Sequence, residues 1–180
     1  MTGWRRRELV LAVYPYSRGI SFTLFEGPLS PLDWGTKQIR GPQKNALTLE
    51  AAKLLIEIHQ PDVLVLQTYS GTHGRRAKRV QRLQRLIKNH ATAQVIDVFS
   101  YTRKDIKACF ADVGAVTRYE IAQSIASQIA AFSKRLPPVR QLWESEDARM
   151  GLFDSASLAM TFYCRNGDSL GTDPNSQSGN

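Results

Sequence analysis

The residues best placed to do chemistry are cations. Between Gly74 and His90 the chain carries Arg75, Arg76, Lys78, Arg79, Arg82, Arg85 and Lys88, and no acid interrupts them. At helical spacing Arg75, Lys78, Arg79, Arg82 and Arg85 lie away from a stripe of Ala77, Val80, Leu83 and Ile87. Such a helix packs by its apolar stripe and turns a row of positive charge outward. Charge runs are usually solvated helix faces, but a merely solvated face mixes signs to gain pairs one turn apart, and this one does not. Clustered guanidinium and ammonium groups neutralise phosphates and release counterions, so the chemistry to expect is salt-sensitive nucleic-acid binding. The preceding segment, residues 68–74, contains Tyr69 and His73, which could stack on bases or meet phosphate at the C-terminal end of a strand. Lys104, Lys107 and Arg118 are further phosphate candidates.

Other chemistries find less support. His73 has no His, Cys or acid at ligand spacing, which argues against a metal role. Cys109 and Cys164 are the only cysteines and form no C-x-x-C pair, so neither a disulfide scaffold nor a zinc knuckle is indicated. Asp147 precedes Asp154 by seven residues. On one helix they would lie roughly 10 Å apart along the axis, too far to share one metal. Glu26 and Asp33 sit near the second and third strands, and their direction is not given by sequence.

The elements that must position these groups follow from periodicity. Leu9 to Tyr14 reads as a buried strand, Ile20 to Phe25 alternates as a half-buried strand, and Leu32 to Ile39 suits a third. Connections this short make the three antiparallel. Leu49, Ala52, Leu55 and Ile58 fall at helical spacing, with Thr48 as cap and Pro61 as stop. Residues 62–67 form a second strongly apolar strand, which arrives through a helix and so runs parallel to the first. A helix over 75–90 and a fifth strand over Gln94 to Val98 follow. Thr102 with Asp105, and Thr117 with Glu120, each match the capping box that opens a helix. Ser145 caps a last helix with Glu146 and Asp147 in its first turn. The expected organisation is a basic extension over 1–8, one α/β domain over 9–163 and a disordered polar tail over 164–180.

The chain has 180 residues, 42% of them hydrophobic, which suits one domain with one ordinary core. Lys and Arg number 24 against 16 Asp and Glu, a formal charge of +8 that favours polyanionic partners. The apolar run after the basic N-terminus is too short for a signal or a membrane span, so a cytoplasmic protein is expected.

This order of elements, with its local sequence, resembles the RuvC-like Holliday junction resolvases of the RNase H-like superfamily. Their first strand ends in Asp-Pro-Gly, and Tyr14-Pro15-Tyr16 with Gly19 is the analogous stretch. Their second landmark is a strand ending in Glu, similar to residues 63–67 ending in Gln67. Lys104 and Lys107, then Gly114 and Arg118, match a basic helix, glycine linker and further basic residue. Gly151-Leu152-Phe153-Asp154, followed by Ser-Ala-Ser-Leu-Ala, matches the closing helix with the second of its two acids kept. The resemblance implies a mixed five-stranded sheet, three antiparallel strands then parallel ones, with helices on both faces.

It also implies a four-carboxylate site that holds two divalent metals about 4 Å apart. The corresponding positions are Tyr14, Gln67, Gly151 and Asp154, so only Asp154 keeps the carboxylate needed for catalysis or for a metal. The preferred reading is a binder of branched or structured nucleic acid, DNA above RNA, that cuts little or not at all. The alternatives are an active endonuclease with a rebuilt acidic site using Mg²⁺ or Mn²⁺, and a protein interaction module on the same fold. The resemblance further implies a homodimer.

Overall fold

The computed structural model describes residues 8–69, 74–141, 143–144 and 147–167. Strands β1 (Val10–Tyr16), β2 (Gly19–Phe25) and β3 (Pro31–Gln38) form the antiparallel meander. Helix α1 (Lys44–His59) leads to β4 (Val63–Gln67), which pairs with β1 in parallel. Helix α2 (Arg75–Ala93) leads to β5 (Asp97–Tyr101), parallel to β4. Then come α3 (Arg103–Phe110), a 3-10 turn (Ala111–Val113), α4 (Arg118–Gln128), α5 (Ala130–Ser133) and α6 (Met150–Arg165). The sheet order is β3-β2-β1-β4-β5.

The apolar strands β1 and β4 are central because both their faces are covered. On one face Leu11, Val13, Leu64 and Leu66 meet Ala52 and Ile56 of α1 and Leu83 and Ile87 of α2. On the other, Val10, Ala12, Val63 and Val65 meet α6 and the apolar sides of α3 and α4. Helix α6 is buried from Met150 to Tyr163. Its hydroxyls tolerate this because they donate to its own carbonyls, Ser155 to Leu152 at 2.9 Å, Ser157 to Asp154 at 2.8 Å and Thr161 to Ser157 at 2.7 Å.

Several boundaries differ from the periodicity reading. Thr48 lies inside α1, buried, with its hydroxyl on the Lys44 carbonyl at 2.6 Å, and Gln43 is the capping position. The first turn, Lys44 to Leu47, is mostly exposed, so it falls outside the buried apolar stripe that marks the helix. The fifth strand starts at Asp97, because Gln94 and Val95 still bond to the last carbonyls of α2 and Val95 turns the chain at φ 61°. The last helix starts at Met150, so Asp147 stands in the turn before it. Ser145 and Glu146, and the tail beyond residue 167, lie outside the described residues, while α6 itself runs on past position 164 to Arg165.

Candidate nucleic-acid interface

Strand alternation carries Val10 and Ala12 toward α6, so Tyr14 and Tyr16 at the end of β1 point to the same side. Val63 and Val65 of β4 do likewise, which places buried Gln67 on that side. Tyr14 and Tyr16 stack with ring centroids 6.2 Å apart, and the Tyr14 and Tyr69 hydroxyls are hydrogen-bonded. Burial, with Asp154 nearby, holds the Tyr14 hydroxyl far above its ordinary range, and burial also raises that of Tyr69. Both are neutral at physiological pH.

Gly151 is a position of close approach. A Cβ there would sit 2.3 Å from Ser21 Oγ and 3.6 Å from a Tyr16 ring carbon. Gly151, where the resemblance expects an acid, therefore packs closely against β2, and a side chain there requires Ser21 to shift.

Both capping boxes form as expected, and each places an arginine at the first helical position. Thr102 opens α3 with Arg103, and Thr117 opens α4 with Arg118. The two arginines converge on Asp154. Arg118 grips it as a fork, with Nε on Oδ1 at 2.8 Å and Nη2 on Oδ2, and Arg103 Nη1 stands 3.7 Å from Oδ1. Burial opposes the charge on Arg118, but the hydrogen bond and charge of Asp154 outweigh it and the guanidinium is held more firmly protonated. The retained carboxylate is thus the anion of a buried ion pair.

No family model and no curated protein matches the sequence. Solved structures do match by shape. Thermus thermophilus RuvC superposes with a TM-score of 0.63 at 16% identity, over 89% of this chain and 98% of that one. The same enzyme in complex with Holliday junction substrate gives 0.59 at 13%, over 90% and 98%. The yeast mitochondrial Holliday junction resolvase gives 0.60 at 13%, over 93% and 84%. The chain has the RuvC-like, RNase H-like fold.

A RuvC-like site implies divalent metals, and the donor set here does not fit them. Hard cations need several anionic oxygens. Of the four expected positions, Tyr14, Gln67 and Gly151 carry no carboxylate, and the carboxylate of Asp154 is bound by Arg118. Among the described residues, nearby acids are committed as well. Asp147, which lines the cleft beside Tyr14, Arg118 and Gly151, is paired with Arg149 at 2.6 Å. Asp105 accepts from Thr102 and from Arg165 Nη2 at 2.8 Å, and Glu120 accepts from the amides of Val116 and Thr117. Asp33 faces His59 at 3.2 Å, and Glu26 follows β2 beyond Phe25, whose partner Val10 starts β1, at the opposite end of the strands from Tyr14.

The cationic helix forms as expected, with one correction. Arg75, Arg76, Lys78, Arg82, Arg85 and Lys88 are exposed, whereas Arg79 is half-buried and donates to Asn45 Oδ1 at 2.7 Å and the Ser17 carbonyl at 3.3 Å. It anchors the front of α2 to the β1–β2 turn, whose Ser17 and Arg18 line the cleft. The cationic face therefore begins beside the site. Lys104 and Lys107 are exposed on α3, while Arg118 turns inward. His73 lies outside the described residues. Sequence reasoning missed Arg103, Tyr16 and Arg18. The first had a signal, since it follows a capping threonine in the same way as Arg118.

Proposed function

We propose that this protein binds branched or structured DNA through phosphate contacts and does not cut it efficiently. The observation that carries the reading is the arginine fork on Asp154, which commits the one carboxylate left at the four metal-binding positions to an ion pair. Binding is supported by the exposed cations of α2, which start next to that site. It is also supported by similar structures that hold Holliday junctions, those of T. thermophilus RuvC and of the Fowlpox virus resolvase. Contacts of this kind read the shape of the backbone more than its sequence. One observation favours the endonuclease alternative: Asp147 lines the same cleft as Arg118 and Gly151, so a site using Asp147 and Asp154 with Mg²⁺ or Mn²⁺ would require both arginine partners to be displaced.

The test is affinity for a labelled four-way junction, a plain duplex and a single strand across a salt titration. If about four cations of α2 meet phosphates, log affinity falls against log salt with a slope near −3 to −4, and the junction binds tightest. Failure to bind any of the three at low salt would overturn the reading in favour of a protein interaction module. Junction cleavage on adding Mg²⁺ or Mn²⁺, lost in Asp154→Asn, would favour the endonuclease.

A further inference from the structure

We propose that Arg103 and Arg118, held together by Asp154, form a seat for a backbone phosphate of nucleic acid that works without a metal ion. This rests on the reading of the protein as a nucleic-acid binder and names the part of the site that takes the place of the metals. A divalent cation among carboxylates serves a phosphate by presenting net positive charge from a fixed point. Here two guanidinium groups and one carboxylate sum to a formal +1 with no ion added.

The layering makes that charge available. The Asp154 side chain is 3% exposed, against 28% for Arg118 and 40% for Arg103. The anion therefore lies beneath and the cations above, and a ligand arriving from solvent meets the cations. Arg118 spends its Nε edge on the carboxylate, which fixes its plane. Arg103, at 3.7 Å, contributes charge without a hydrogen bond to Asp154, so its donors are not consumed by the anion below. A planar guanidinium with donors to spare suits phosphate oxygens.

A second observation points the same way. Tyr16 lines the adjoining cleft with Arg18 and Arg118, and its hydroxyl is buried with no hydrogen-bond partner among the described residues. A buried orphan donor is costly, and a phosphate oxygen entering the cleft would satisfy it. The ligand is a polymer phosphate more than a free one, because the tie between Arg79 and the Ser17 carbonyl sets the exposed cations of α2 beside the same cleft. One strand can then meet both.

The experiment uses the full chain and a fluorescent four-way junction, with affinity measured in EDTA and in Mg²⁺ for the wild type, Arg103→Gln and Arg82→Gln. Wild-type binding is expected to need no Mg²⁺, with affinity in EDTA at least as high as in Mg²⁺, whose screening weakens phosphate contacts. Arg103→Gln is expected to bind about five- to tenfold more weakly, with a salt slope smaller by about one. Loss of wild-type binding in EDTA would overturn the seat, whatever the variants do. Unchanged affinity and slope in Arg103→Gln, with weaker binding by Arg82→Gln, would overturn the seat and leave the DNA-binding reading standing. No binding by the wild type in either buffer would remove both.

Discussion

Replacing Arg118 by leucine should expose the energetics of the ion pair. The change leaves Asp154, 3% exposed, with Arg103 at 3.7 Å as its one remaining cation among the described residues. Removing one partner of a buried pair costs about 3–5 kcal/mol, because a charge is left desolvated and uncompensated. Arg118 retains 28% exposure and Arg103 remains, which puts the expectation at the low end, about 3 kcal/mol. For a domain of this size that is a fall in Tm of roughly 6–12 °C. The double variant Arg118→Leu/Asp154→Leu removes both desolvation penalties together and should lie within about 1 kcal/mol of wild type. Urea unfolding of the wild type, both single variants and the double variant closes the cycle, with an expected coupling of about 2 kcal/mol or more. Additive losses, or a cost below about 1 kcal/mol for Arg118→Leu, would refute the claim that Asp154 is committed to this pair, and with it the argument against a metal.

Three further outcomes follow from the same geometry. Gly151→Asp drives a Cβ to 2.3 Å from Ser21 Oγ, so it should destabilise by about 1–3 kcal/mol in thermal melts and create no Mg²⁺-dependent junction cleavage. Hydrogen bonds from Thr102 lower the Asp105 carboxyl below its ordinary range, and those from Arg149 lower Asp147. Their stabilisation is fully present above about pH 4 and is lost as pH falls through the depressed folded values. Thr102→Ala should cost about 1 kcal/mol at pH 7 and flatten the acid loss of stability seen by urea unfolding. The Cys109 thiol, pushed up to about 12 by burial and by its contact with Cys164, stays protonated at pH 8. It should react with iodoacetamide far more slowly in the folded protein than in urea, and equal rates would contradict its placement.

Much of the architecture can be read without coordinates, because local forces set it. Unbroken apolar runs mark β1 and β4, alternation marks β2, and the two capping boxes start α3 and α4 where their residues require. Tight connections force the antiparallel meander and long ones permit the parallel pairing. Edges were harder to read. β5 is a mostly exposed edge strand, so its apolar pattern is weak and the chain enters it three residues late, after α2 has used Gln94 and Val95 to finish.

Residue identity alone determined that three of the four positions to which the resemblance points, Tyr14, Gln67 and Gly151, lack a carboxylate and that α2 carries a run of cations without acids. What became of the fourth acid was decided by tertiary structure. Arg103, Arg118 and Asp154 lie on three different helices, and nothing in their spacing brings them together. Packing of α3 and α4 against α6 does so, and burial turns the meeting of charges into a committed pair. In the same way, Arg79 belongs by period to the outward row, and only the approach of the β1–β2 turn makes it an anchor. Local sequence sets which face a side chain starts from. Its final partner depends on which other element arrives there, because an ion pair forms between whatever charges the packed fold brings within reach.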